Sequence, residues 1–138
     1  MKRRKSLNAL LNQHQLDGLL ITHPPHIVWA TGFVSTNALV YIDQTGSVLV
    51  TDSRYAEAAS QLDIPFILAH QENLAHALAA KLTTKQRIGY LPDVVSVEAL
   101  QQMKTELKGH TLVPCSHILR DAIAVKDATE IKQLQHAQ

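Results

Sequence analysis

The sequence predicts an α/β fold, a mixed β-sheet of about six strands flanked by helices on both faces. Three observations predict it. Short β-branched and apolar runs alternate along the chain with segments whose apolar residues recur three and four positions apart. A hairpin signal near the start brings an antiparallel pair into an otherwise alternating pattern, as a mixed sheet requires. The 138 residues, 46% of them hydrophobic, suffice for one compact domain and not for two ordinary ones.

The elements follow in chain order. Leu7, Leu10, Leu11 and His14 share one face of a first helix. The run from Leu16 to Thr22 reads as a buried strand. His23-Pro24-Pro25 opens a short second helix, because proline is tolerated in a first turn, and Gly32 closes it as a left-handed cap. Ala38–Ile42 and Ser47–Thr51 flank Asp43-Gln44-Thr45-Gly46 and form a hairpin. Asp52 and Ser53 cap a helix beginning near Arg54. Pro65–Ala69 is a strand; Ala75, Leu78, Ala79 and Leu82 mark a helix face; Arg87–Tyr90 is a strand. Val97, Leu100, Met103 and Leu107 mark a further helix closed by Gly109, and Thr111–Cys115 is the last strand. Beyond it, Asp127 and Glu130 have capping-box spacing, and Ile131 and Leu134 begin an apolar stripe that meets no stop signal before Gln138. Such a helix reads as the start of something longer. The expected division is a domain over residues 1–118 and an exit segment over 119–138.

Composition narrows the function. A net charge of +1 calls for neither nucleic acid nor an anionic membrane. Met1-Lys2-Arg3-Arg4-Lys5 is basic, but the polar residues Asn8, Asn12, Gln13 and His14 interrupt the leucines that follow, so no signal-peptide core forms and no stretch reaches spanning length. The single Cys115 excludes an internal disulfide, lies in an apolar run as an inert buried thiol would, and fits a reducing cytoplasm. Among the eight histidines, His23 and His26 are three apart and His70 and His76 six apart, with no His-Glu-x-x-His and no carboxylate or cysteine at ligand spacing. A metal site within this chain is not expected. The five glycines are scattered and none belongs to a phosphate-binding loop.

Two segments stand out as candidate contact sites. Asp52-Ser53-Arg54-Tyr55 is the richest polar cluster. It reads either as a helix start with a local ion pair, or as a subunit or domain contact through Arg54 or Tyr55. The loop Phe33-Val34-Ser35-Thr36-Asn37 joins a helix end to a strand, a position from which loops make contacts. An exposed Phe33 would be a lid over a hydrophobic substrate group; a buried one would anchor the loop. Trp29, beside Ile27 and Val28, reads as core.

These segments also carry a resemblance. Trp29-Ala30-Thr31-Gly32-Phe33 resembles the aromatic-x-Thr-Gly-Phe motif of the creatinase / Xaa-Pro aminopeptidase / prolidase family, and Leu49–Tyr55 resembles its apolar-apolar-Thr-Asp-x-Arg-Tyr. Thr22–Ile27 matches its proline-containing turn, and Ile88-Gly89-Tyr90 its Ile-Gly strand. Leu119-Arg120, Val125-Lys126 and Glu130-Ile131 match its exit segment, with slightly longer spacing between Arg120 and Lys126. The resemblance spans nearly the whole chain. It implies the non-catalytic amino-terminal domain of a proline-specific metallopeptidase, with a ribonuclease H-like layout. It further implies no metal in this chain, a following pita-bread catalytic domain that holds two manganese or cobalt ions, short proline-containing peptides as substrates, and a homodimer. In it the amino-terminal domain narrows the partner's cleft; Phe33, Val34, Ser35, Thr36 and Asn37, with Arg54 and Tyr55, are the residues carried over for cleft or dimer contact. Two other readings remain. One is a stand-alone peptide-binding module, like the similar domain in the FACT histone chaperone. The other is the corresponding domain of a creatinase-type amidinohydrolase.

Overall fold

The structure, a computed structural model, describes residues 2–70, 73–116 and 118. The predicted exit segment, residues 119–138, lies outside the described residues. Helices α1 (Lys2–Gln13), α2 (Pro24–Thr31), α3 (Ala56–Ser60), α4 (Leu74–Ala79) and α5 (Val97–Glu106) alternate with strands β1 (Gly18–Ile21), β2 (Ala38–Asp43), β3 (Gly46–Asp52), β4 (Phe66–Ala69), β5 (Arg87–Tyr90) and β6 (Thr111–Pro114). The strands form one sheet in the order β4-β3-β2-β1-β5-β6. β2 runs antiparallel to both its neighbours, while the β3–β4, β1–β5 and β5–β6 pairs are parallel. The mixed six-stranded sheet predicted from the alternation is therefore the observed one.

Side-chain alternation along the strands divides the interior in two. Leu19 and Ile21 of β1, Val40 and Ile42 of β2 and Leu49 of β3 pack with Leu7, Leu11, Ile27 and Ala59 from α1, α2 and α3. Leu20, Leu39, Tyr41 and Val50 point to the other face, against Ala75 and Leu78 of α4 and Met103 beside Leu107 at the end of α5. Both faces of the sheet are thus covered, which is why the central strands carry so few polar residues.

Several local expectations shift. α1 ends at Gln13, and His14 lies exposed in the turn after it. The cause is Gln15 at φ +57°, which lets Leu16 N–H reach Leu11 O and Gln15 N–H reach Asn12 O, a Schellman closure without glycine. The helix expected near Arg54 begins as a 3₁₀ turn, Ser53–Tyr55, before α3. α4 stops before Leu82, which still packs on the core. Val97 is 74% exposed, because it is the first residue of α5 and turns away from the sheet. Trp29 is half-buried at the edge of the α1–α3 face. Gly32 is confirmed as the left-handed cap of α2 at φ +79°, its N–H bonded to Val28 O. Gly18 has no room for a side chain, because the Tyr41 phenol lies where a Cβ would stand.

The direction of β2 sets the location of function. Because it opposes its neighbours, its first residue lies at the carboxyl ends of β1 and β3, with Ala38 paired to Thr51. The residues leaving β1, β3 and β4 and the loop entering β2 therefore meet at one end of the sheet.

Candidate functional site

At that end, the two segments singled out from sequence form one corner. Asn37 enters β2 directly opposite the exit of β3, and its side-chain amide donates to Asp52 Oδ2 at 2.7 Å. Thr51, fully buried, donates through Oγ1 to Asn37 O at 2.7 Å. Asp52 caps the 3₁₀ turn: its Oδ1 accepts from Arg54 N–H at 2.9 Å. The Arg54 guanidinium closes a fork on the same carboxylate, Nε to Oδ1 at 3.0 Å and Nη2 to Oδ2 at 2.9 Å. The Arg54 hydrogen bonds, then that from Asn37, hold the Asp52 carboxyl well below the usual carboxylate range. The helix-start cap and the local ion pair expected of this cluster are present.

Tyr55 braces the loop. Its hydroxyl lies 2.9 Å from Thr36 Oγ1 and accepts the Thr36 N–H at 3.4 Å. The hydrogen bonds from Thr36 lower its phenol from the ordinary tyrosine value. Its ring meets Phe33 edge-on, centroids 6.1 Å apart, and lies 5.4 Å from the Arg54 guanidinium carbon. Phe33 itself is 3% exposed, within the α1–α3 core. It anchors the loop from below and is not presented as a lid. The reason is the left-handed turn at Gly32, whose neighbour Thr31 accepts Phe33 N–H at 3.0 Å and turns the ring inward. Ser35 Oγ accepts Asn37 N–H at 2.9 Å. The apolar residue the loop does present is Val34, 76% exposed.

The same corner forms one wall of a cleft of about 740 Å³ that the sequence reading missed. Thr22, Asp52 and His70 contribute from the ends of β1, β3 and β4. Asn73, Ala99 and Gln102 close it from α4 and α5, over a floor that includes Leu39 and Met103. Thr22, Asp52 and His70 each stand at or just past a strand end. The rule that ligand crevices form at the carboxyl ends of parallel strands was the signal available for them.

Among the described residues the remaining polar groups do not assemble into a reactive site. His23 and His26 meet edge-on at 4.8 Å, and burial lowers His26 from its ordinary value, aided by His23 and opposed by Asp93. His76 pairs with Glu106 at 3.0 Å across α4 and α5. Cys115 is buried, and burial raises its thiol. Among the described residues no group of three or more His, Cys, Asp or Glu is placed to hold a metal ion. None of their helices is long and apolar enough to cross a membrane.

Comparison with known proteins decides the family, since the family model of the creatinase/prolidase N-terminal domain matches residues 3–122. The chain belongs to the creatinase/prolidase N-terminal domain family. Among solved structures, it is 27% identical to the N-terminal domain of the cytoplasmic peptidase PepQ from Mycobacterium tuberculosis, covering 88% of this chain and 98% of that one with a TM-score of 0.78. The N-terminal, creatinase/prolidase-like domain of a metallopeptidase from Corynebacterium diphtheriae is 30% identical over 83% of this chain and 94% of that one, TM-score 0.76. An Xaa-Pro aminopeptidase structure from Streptococcus pyogenes is 28% identical over 88% and 95%, TM-score 0.77. A curated relative, the uncharacterized peptidase YqhT of Bacillus subtilis, is 27% identical over 136 residues. The chain spans 38% of that relative's length. These relatives are peptidases or amino-terminal domains of peptidases.

Proposed function

We propose that the chain is the non-catalytic amino-terminal domain of a cytoplasmic Xaa-Pro dipeptidase or aminopeptidase. In this reading it supports a homodimer, and its loop over residues 33–37 narrows the partner subunit's cleft to short proline-containing peptides. Family membership supports the parent activity. The observation that carries the cleft-shaping role is the bracing of the loop: Phe33 below, Tyr55 beside and Asp52 at its end hold Val34 as the exposed apolar residue of a fixed frame, with Thr36 tied to Tyr55. A rigid frame with one exposed aliphatic residue suits a wall that excludes water and limits substrate length.

The two manganese or cobalt ions belong in this reading to the catalytic domain that follows, where they would supply the bridging nucleophile and the Lewis acid. The described residues of this chain do not fit such a pair, since no ligand group is assembled among them. The chain's own contribution is positioning.

The test is Val34→Asp in the full-length protein, with steady-state kinetics on Xaa-Pro dipeptides and on tripeptides and with the mass in solution measured. The expected outcome is a KM raised several-fold with kcat nearly unchanged, as loss of uniform binding gives. A shifted ratio of dipeptide to tripeptide turnover should accompany it. Unchanged kinetics in an unchanged dimer would remove the loop from the cleft.

A further inference from the structure

We propose that the cleft at the carboxyl ends of β1, β3 and β4 is a binding site for a small carboxylic acid with an aliphatic body, of about the size of an N-acylated amino acid. The inference is independent of the reading above, because it concerns only groups within this chain.

Shape comes first. About 740 Å³ lies within the range of small-molecule sites, and the cleft occupies the sheet end where α/β folds place ligands. Its lining is divided in the way such sites are. Leu39, Leu74, Val95 and Met103 offer apolar surface, while the opposite rim is polar.

The rim offers donors. Asp52 is the only carboxylate among the described residues of the lining, and it already accepts four hydrogen bonds, three from Arg54 and one from Asn37. It has little capacity left to hold a ligand cation. Its effect is to clamp one edge of the Arg54 fork, which leaves Arg54 Nη1 outside that clamp in a side chain that lines the cleft. A guanidinium oriented by one carboxylate and open on its other edge is pre-organised for a second. Asn73 uses its carbonyl oxygen to cap α4, which leaves its amide N–H groups as donors on the same rim. Ala99, in the first turn of α5, lines the same cleft, its own N–H taken up by the Ser96 Oγ cap at 3.0 Å. Amide donors and a fixed guanidinium favour a carboxylate head; the apolar side favours an aliphatic body. Asp52 offsets much of the Arg54 charge, so the affinity expected is weak, a Kd of about 1 mM.

The test is a titration of the 138-residue chain with N-acetyl-leucine, followed by backbone amide chemical shifts, beside N-acetyl-leucinamide, which keeps the body and loses the charge. Saturable shifts at Arg54, Asn73 and Ala99 are expected, with the amide binding at least about fivefold more weakly. Arg54→Gln should remove the preference for the acid. Ala99→Trp, at an exposed helix position, should fill the cleft and abolish both, and it keeps the test decisive if Arg54→Gln does not fold. Absence of saturable shifts at these residues, equal affinity for acid and amide, or undiminished binding to the Ala99→Trp chain would overturn the proposal.

Discussion

Replacing Phe33 with alanine removes the support of the 33–37 loop from beneath. The ring is enclosed on the α1–α3 face and touches Tyr55 edge-on. Its loss should cost about 3–5 kcal/mol, as for other buried phenylalanines, read as a lowered denaturant midpoint. A midpoint near that of the wild type would mean the ring is dispensable to the core. Asp52 makes a different kind of prediction. Its folded carboxyl titrates below the unfolded one, so its contribution to stability is complete above the unfolded value of about 4 and is lost as pH falls below it. Asp52→Asn should therefore lower the melting temperature at neutral pH, and the gap from wild type should narrow steadily between about pH 5 and pH 2. A gap independent of pH would show that the charge on Asp52 does not matter to the corner.

Helix ends show most clearly what sequence could and could not convey about the elements. α2 and α1 both finish with a left-handed residue, Gly32 at φ +79° and Gln15 at φ +57°. Gly32→Val should cost about 1–3 kcal/mol through backbone strain alone, since open space surrounds the position. Gln15→Gly should run the other way and raise the unfolding free energy by up to about 1 kcal/mol, relieving the same strain. Urea denaturation of the two variants compares them directly; the same sign for both would undo the cap argument. The end of α2 was legible because glycine announces a left-handed cap, and the end of α1 was not because glutamine does not. The hairpin was legible for a similar reason: Asp43 Oδ1 accepts from Thr45 N–H and Gly46 N–H, an Asx turn that the Asp-x-x-Gly spelling gives away. Val97 misled because apolar spacing cannot say that the first residue of a helix has already turned from the core. The corner of Phe33–Asn37 with Arg54 and Tyr55 was legible as two segments, but not as one site. The cleft was illegible as a set, because Thr22, Asp52, His70, Asn73 and Gln102 converge only once the sheet order is known.

At the scale of the molecule, the sheet direction gathers polar side chains at one end without gathering a catalytic constellation among the described residues. Asp52 is saturated by Arg54 and Asn37, and Tyr55 is engaged with Thr36. Histidines are dispersed: His23 and His26 sit at the start of α2, His76 pairs with Glu106, and His110 accepts the Gln86 N–H. Hydrolysis of a peptide bond by a two-metal site needs several carboxylates and a histidine converging on ions about 4 Å apart, with an open position for water. Nothing among the described residues approaches that arrangement. The 138-residue chain, purified alone and supplied with manganese, should therefore leave Xaa-Pro dipeptides uncleaved. The control is the full-length protein in the same buffer, which on the proposed reading turns the dipeptides over. Activity that co-purifies with the isolated chain and disappears on chelation would place a metal centre within these residues and would require a different account of what this domain contributes. A silent domain and an active full-length protein would instead assign the chemistry elsewhere in the full-length protein and leave this domain a positioning role: a braced loop that presents Val34, and a donor-rimmed cleft.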